Sequence, residues 1–376
     1  MITYLSIYIY LAVISLNEIK NSYDSKKTFF ILLFIFMLLF VSGRHNVGGD
    51  YVKYLYWFEY AKLTPPTGIS SLLGLNYITI FIHALSLNYF FFNFVCALIF
   101  LLGIFKFLNL SNERLFVFIL LIPTMIYIVG LGYTRQSVSI GFLCLAIYYW
   151  SENMNGKKII FFILSVLTHL TSIIFFFLLF YKTYEKIKLN KLYVLSTLFI
   201  SFLFVFFILY FNDLNNLSSA IGLDVKINIE NSRFKFLKFL AHLLPCIIFI
   251  IFIKRFSKDE KIYPLYFFSV VITIFVTVAM IILKILIAKS SFIDVMADRI
   301  LLPCLLIEAL IFVKLYSIVN FEYKFLFKIL ILFYFGFMLF VWLEFADNSH
   351  AWKPYRSIFL ESYDYDYNVF EFESEE

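Results

Sequence analysis

Long runs of Leu, Ile and Phe, separated by short polar stretches, set the pattern of this chain. The apolar runs are Ile2 to Leu16, Thr28 to Ser42, Asn88 to Phe107, Leu115 to Gly132, Gln136 to Trp150, Leu192 to Phe211, Phe236 to Ile253, Ile262 to Ile287, Arg299 to Val319 and Lys328 to Phe345. None alternates with the period of two that an outer-membrane barrel strand needs. A spanning helix takes ~20 residues, with ~17 as the lower limit, so the pattern predicts an all-α polytopic membrane protein of about ten spanning helices. Two of the runs are short and must borrow flanking residues. The first, Ile2 to Leu16, has neither a basic leader nor a small-residue cleavage site and is expected to stay as a helix.

Lysine and arginine give the expected orientation, because cytoplasmic loops are enriched in them. With Lys20, Lys26 and Lys27 inside, the polar stretch Arg44 to Tyr54 falls outside, Lys106 and Arg114 return inside, Arg135 lies at the outer edge and Lys157 and Lys158 are inside. That order requires Ile69 to Leu87, which follows Pro65-Pro66 and carries Asn76 and His83, to lie at the outer interface instead of crossing. The next stretch has lysines at both ends, Lys157 and Lys158 before it and Lys182, Lys186, Lys188 and Lys191 after it. About two dozen residues cannot cross twice, so a re-entrant pair of short helices turning at Thr168-His169-Leu170-Thr171 is predicted, with His169 at its tip inside the membrane. Beyond it, 212–235 is outside, 254–261 inside, 289–298 outside and 314–328 inside, and the last span delivers Trp352 to Arg356 to the outer face. Residues 1–362 read as one transmembrane domain and 363–376 as an acidic, disordered tail.

Composition agrees. Of 376 residues 62% are hydrophobic and 15% charged, too apolar for a soluble protein of this length. The net charge of +6 is spread over loops and forms no basic stripe, which argues against nucleic acid as a partner. Cys96, Cys144, Cys246 and Cys304 each sit inside an apolar run without metal-ligand spacing, so free buried thiols are expected, with no metal and no cofactor.

The chemistry gathers on the predicted outer side. Ser42 to Tyr54 packs Arg44, His45, Asp50, Tyr51 and Tyr54 around Gly48-Gly49, directly behind an apolar run. Arg135, Arg233, Asp294, Asp298, Arg299, Lys353 and Arg356 fall on the same side, with His169 reaching up from below. Several arginines at one interface call for an anionic partner, and the planar guanidinium suits a phosphate or pyrophosphate; a single arginine could equally snorkel to lipid headgroups. Snorkelling explains Arg135 and Arg299 least well, since each opens a span. Asp50 is the carboxylate placed to act as general base. No nucleophile elbow, phosphate-binding loop or zinc motif is present in the sequence.

These residues resemble the EpsG/Wzy group of membrane oligosaccharide-unit polymerases, which assemble O-antigen, capsule or exopolysaccharide. Arg44-His-Asn-Val-Gly-Gly-Asp50-Tyr51 with Tyr54 is similar to that group's Arg-x-x-x-Gly-x-Asp-Tyr-x-x-Tyr. Tyr133-Thr-Arg135-Gln136 resembles its Arg-Gln at the start of a span, and Leu167-Thr-His169-Leu-Thr-Ser172 its His-containing helix break. Arg299 and the late Pro354-Tyr355 complete the order. The resemblance implies a multi-span, metal-independent glycosyltransferase in the bacterial cytoplasmic membrane, with its site facing outward. Its substrates would be undecaprenyl-pyrophosphate-linked oligosaccharides, and its partners membrane lipids, a chain-length regulator and a flippase. Asp50 would be the base of an inverting displacement, with Arg44, Arg135 and Arg299 on the departing pyrophosphate and His169 positioning a substrate. His45, Tyr51, Tyr54, Gln136, Arg233, Tyr355 and Arg356 would complete substrate binding. The main alternative is a flippase for the same lipid-linked units, which should show two repeated halves, and none is visible. A membrane acyltransferase would want a histidine paired with a carboxylate or Asn, for which His169 is the one candidate in this reading.

Overall fold

The computed structural model describes residues 1–17, 23–63, 73–180, 232–259, 261–286 and 299–360. The predicted span Leu192 to Phe211, the acidic tail, Asp294 and Asp298 lie outside them. Among the described residues the regular elements are helical, and the sole extended pairing is an isolated antiparallel bridge between Arg44 and Ser357. Helices follow from the apolar runs because lipid offers no hydrogen bonds, so each segment must satisfy its own backbone.

Helix α1 covers Ile2–Leu16, α2 Tyr23–Ser42, α3 Tyr51–Leu63, α4 Leu73–Ala84, α5 Tyr89–Phe107 and α6 Arg114–Leu121. After them come α7 at Thr134–Ser151, α8 at Asn155–Thr168, α9 at Ser232–Ile251, α10 at Tyr263–Leu286, α11 at Leu305–Ile318 and α12 at Phe321–Phe345. Among the described residues, three stretches are long and apolar enough to cross a membrane by length and composition: Tyr89–Leu110, Arg299–Ile318 and Phe321–Phe345. Five shorter apolar helices accompany them. The prediction of about ten spans goes beyond that count. The predicted run Thr28 to Ser42 does borrow its flank, since α2 begins at Tyr23, while α1 keeps the predicted 15 residues.

Two details differ from the sequence prediction. Lys328, predicted to stand where the inner stretch meets the last span, lies two turns inside α12, where it is buried and its Nζ donates to the Ser15 carbonyl at 2.8 Å. An ammonium at the C-terminal end of α1 meets an otherwise unsatisfied helix carbonyl and the negative end of that helix's dipole. The second difference is the run Leu115 to Gly132, which is not one regular helix. After α6 it widens into a π-helix over Ile122–Gly130. Pro123 lies at its start and has no N–H to donate, a local cause for leaving the α ladder.

Helix α7 is the hub, packed between α5 and α8. It approaches α5 so closely that a Cβ on Gly103 would lie 2.0 Å from the Gly141 carbonyl oxygen, so small residues at this crossing set the helix separation. On its other side Ser139 holds α8 through hydroxyls. Its Oγ donates to the Ser165 carbonyl at 2.7 Å and meets the Ser172 hydroxyl at 2.7 Å, while Ser165 Oγ donates back to the Ser139 carbonyl at 2.7 Å. Ser172 belongs to the 3-10 turn Leu170–Phe175, so this staple grips both sides of the break that ends α8 at His169. The second arm predicted after that break is present as this 3-10 turn and a short helix at Phe177–Phe180, while Lys182 to Lys191, which placed its far end inside, lie outside the described residues.

A separate polar contact joins α9 to α11. His242 Nδ1 lies 2.8 Å from Glu308 Oε1, and both side chains are buried. This corrects the expectation that His169 is the histidine to consider for pairing with a carboxylate. Tertiary packing of two apolar runs brings the pair together, which neither run shows by itself.

Candidate functional site

The stretch after α2 is held by the chain's late segment. The N–H of His45 donates to the Arg356 carbonyl at 3.1 Å, that of Ile358 to Gly43 at 2.9 Å, and that of Gly48 to Ala351 at 2.8 Å. Gly48 has a φ of 105°, and a Cβ there would lie 2.1 Å from the Leu131 carbonyl oxygen, so the turn requires glycine for both conformation and space. Gly49 makes a looser contact, with Trp352 atoms 3.3 Å from a built Cβ. Trp352 anchors the late segment by donating from Nε1 to the Tyr127 carbonyl at 2.9 Å. The Asp50 N–H donates to Gly132 at 3.2 Å, which ties the carboxylate-bearing turn to the start of α7.

Within this frame the arginines divide into two groups. Arg44 is 3% exposed and its guanidinium is committed to the protein. Nη1 donates to the Val41 carbonyl at 3.1 Å and to Gly130 at 3.0 Å, and Nη2 donates to Asn93 Oδ1 at 3.1 Å and to Thr134 Oγ1 at 2.9 Å. It thereby joins the end of α2, the π-helix, α5 and α7. Its electrostatic neighbours are Tyr4, Tyr89, Cys96 and Tyr355.

Arg135, Arg299, Asp50, Tyr54 and His169 form the other group. Burial pushes the Tyr54 phenol above its ordinary value; Arg135 pulls against that, Asp50 adds to it, and Arg299 opposes it. The Tyr54 hydroxyl also bonds the Arg135 backbone. His169 in turn lies within electrostatic reach of Arg135 and Arg299. Arg299 is fixed by a reciprocal pair with Gln136, its Nη1 donating to Oε1 at 2.7 Å and Gln136 Nε2 donating back to the Arg299 carbonyl at 3.2 Å. Its guanidinium carbon stacks 3.8 Å from the centre of the Tyr133 ring, an attraction of cation to ring quadrupole. Neither Arg135 nor Arg299 forms an ion pair among the described residues. Two buried or half-buried guanidinium charges with no ion-paired carboxylate among the described residues, close to an imidazole, make an environment that favours an anion.

The remaining sequence candidates are distributed around these groups. His45 is half-buried, with Nδ1 3.5 Å from the Tyr51 hydroxyl, and Tyr51 packs edge-on to Tyr89 at 5.4 Å. Tyr355 stacks on Phe40 at 4.4 Å and donates to the Phe40 carbonyl at 2.7 Å. Burial pushes its phenol up to about 12, against the pull of a Ser357 hydrogen bond and of Arg44. Tyr355 therefore belongs with the Arg44 clamp. Arg356 is exposed, and its carbonyl receives the His45 N–H. Arg233 falls in α9 near its N-terminal end.

Several residues that the structure makes important were given no role by the sequence. Asn93 and Thr134 orient Arg44, Tyr133 is the platform under Arg299, and Ser139 with Ser165 holds the His169 break. Ser139 lies one turn beyond Arg135 on α7, a spacing that puts both on one helix face. Among the described residues no group of three or more His, Cys, Asp and Glu side chains is placed to hold a metal ion.

The EpsG family model matches residues 27–357, which include the arginine clamp's guanidinium, all five residues of the second group and the late segment through Ser357. No curated protein and no solved structure matches the chain.

Proposed function

This chain belongs to the EpsG family of Wzy-type polysaccharide polymerases, and on that premise we propose that it joins undecaprenyl-pyrophosphate-linked oligosaccharide units at the outer face of the bacterial cytoplasmic membrane. The observation that carries this reading is the convergence of Arg135 and Arg299, neither ion-paired among the described residues, with Asp50, Tyr54 and His169. A pyrophosphate leaving group needs fixed positive charge where its negative charge develops, and an acceptor hydroxyl needs a base within reach.

In the proposed reaction Asp50 takes the proton of the acceptor sugar's hydroxyl as that oxygen bonds to the anomeric carbon of the donor. The bond from that carbon to the pyrophosphate oxygen breaks, and its electron pair leaves with the lipid pyrophosphate between Arg135 and Arg299. Displacement from the opposite face inverts the anomeric centre. Gln136 and Tyr133 keep Arg299 aimed, and Arg44 acts at one remove by holding the start of α7, where Arg135 sits. About ten spans, a chain-length regulator and a flippase complete the proposed setting.

The test is the length distribution of lipid-linked surface glycan in cells lacking the gene, complemented with wild type or Arg135→Ala. Single units displayed outside in both the deletion and the variant, with long chains restored by wild type alone, are the expected result. Units trapped on the inner face would overturn it in favour of a flippase.

A further inference from the structure

His169 has a hydrogen-bond arrangement that fixes which of its ring nitrogens can serve chemistry. It ends α8 in an extended conformation, φ −152° and ψ 119°, and caps the 3-10 turn that follows: Nδ1 accepts the Thr171 backbone N–H at 3.4 Å. The Thr171 hydroxyl lies 2.7 Å from the same nitrogen. A hydroxyl can donate or accept, but a backbone N–H can only donate. Nδ1 must therefore present a lone pair, which neither an imidazolium nor the Nδ1–H tautomer has. The remaining form is a neutral ring with its proton on Nε2.

The backbone around the ring is fixed independently. The His169 N–H donates to Ser165 at 2.9 Å, its carbonyl accepts the Ser172 N–H at 3.2 Å, and the Ser139 staple grips both flanks. The residue is 5% exposed, and both hydrogen bonds of its ring to described residues are made at Nδ1, neither at Nε2. Among the described residues, Arg135 and Arg299 are the charged groups within its electrostatic reach. A third positive charge beside two guanidinium groups is disfavoured, whereas a neutral N–H adds a donor without adding charge.

We propose that His169 is a neutral hydrogen-bond donor, its Nε2–H directed to an anionic phosphate oxygen of the lipid pyrophosphate held between Arg135 and Arg299. This rests on the function proposed above and assigns the chemistry of one residue within it. It also removes His169 from the role of general base, since the lone pair a base needs is on Nδ1 and is occupied by Thr171. The acceptor's proton then goes to Asp50, and His169 stabilises the leaving group without transferring a proton.

The two amide replacements separate the ring's two nitrogens. Gln carries an N–H near the Nε2 position and so keeps the donor, while Asn places its oxygen near Nδ1 and so keeps the cap. Full-length wild type, His169→Gln and His169→Asn in lipid nanodiscs are compared for binding of geranylgeranyl pyrophosphate, with membranes of the same strains assayed for glycan length. His169→Gln is expected to bind within about tenfold of wild type, and His169→Asn about 10- to 100-fold more weakly, the range for one hydrogen bond to a charged group. Equal losses in the two, or tighter binding by Asn than by Gln, would overturn the proposal and leave His169 a base or a structural cap. If wild type binds the probe with this variant pattern but makes no long glycan, the polymerase reading fails and the donor assignment stands. Nitrogen-15 imidazole shifts of histidine-labelled protein, with His169→Gln identifying the resonance, read the tautomer without relying on how either variant folds. A neutral ring protonated at Nε2 is expected, and an Nδ1–H ring or an imidazolium at neutral pH would overturn it.

Discussion

Replacing Arg44 should unfold the protein before it slows the chemistry, whereas replacing Arg135 should do the reverse. Arg44→Ala removes four hydrogen bonds from a charged donor, two to main-chain carbonyls and one each to Asn93 and Thr134. At ~1.5 kcal/mol each, the low end for bonds to a charged group, the gross loss is ~6 kcal/mol. Some returns, because a buried guanidinium no longer has to be desolvated and its Nε, which has no partner, disappears with it. The carbonyls of Val41 and Gly130 close their helices, where the ladder supplies no N–H, so they lose their donor together with Asn93 and Thr134. A net destabilisation of ~2–4 kcal/mol follows. Arg44→Lys should recover less than half of that, since a single ammonium cannot reproduce a planar fork reaching four acceptors. Thermal unfolding of the purified protein in detergent, run beside glycan length in membranes, checks both quantities. Arg135→Ala should keep the wild-type unfolding midpoint and lower polymerisation by at least ~100-fold, the scale for losing one group that stabilises developing negative charge. A wild-type midpoint for Arg44→Ala together with lost activity would refute the division of the arginines, as would an Arg135→Ala protein as unstable as Arg44→Ala.

Gly48→Ala should cost at least ~2 kcal/mol through its positive φ and its contact with Leu131, whereas Gly49→Ala should stay within ~1 kcal/mol; denaturation midpoints of the two variants give the comparison, and equal effects would contradict the turn geometry. Glu308→Ala should destabilise by ~3–5 kcal/mol by stranding His242 in the bundle, and a double replacement with His242→Ala should lose less than the sum of the singles. A double-mutant cycle on unfolding midpoints measures that coupling, and strict additivity would dispose of it. Ser139→Ala should lower polymerisation with little change in expression, because it frees the flanks of His169 while leaving α7 helical; glycan length at matched protein level reads this, and unchanged chains would show that the staple does not position the site.

The apolar runs announced the helices, and their limits moved mostly where a polar flank could join a helix, as at Tyr23. Composition could not reveal the π-helix, whose only local sign is Pro123. Nor could it rank the arginines. Arg44, Arg135 and Arg299 share charge and predicted side, and what separates them is whether neighbouring helices supply acceptors. Asn93 and Thr134 do this for Arg44, and that depends on the close α5–α7 approach that Gly103 and Gly141 permit. The grouping of Asp50, Tyr54, Arg135 and Arg299 was suggested by order along the chain, while Tyr133 and the serine staple emerge from packing alone.

His242 and Glu308 could have been read from the sequence by a depth argument. At a rise of ~1.5 Å per residue, His242 lies ~15 Å along α9 from Ser232, and Glu308 ~14 Å along its apolar stretch from Arg299. Both distances place the side chain near the middle of a ~30 Å hydrocarbon layer, and the two helices enter from the same predicted side. Two ionisable residues at matched depth in separate apolar runs are each too costly to leave unpaired in lipid, so pairing was the economical inference. The same arithmetic separates this pair from the arginine group, since Arg299 stands at the predicted outer end of the helix that carries Glu308 further in. One helix thus contributes to the anion-favouring site at its mouth and to a buried acid–histidine contact at its middle. A change at Glu308 should accordingly reach the site through the placement of α11 and the residues that lead into it, with Arg299 and its Gln136 partner the first to register the shift.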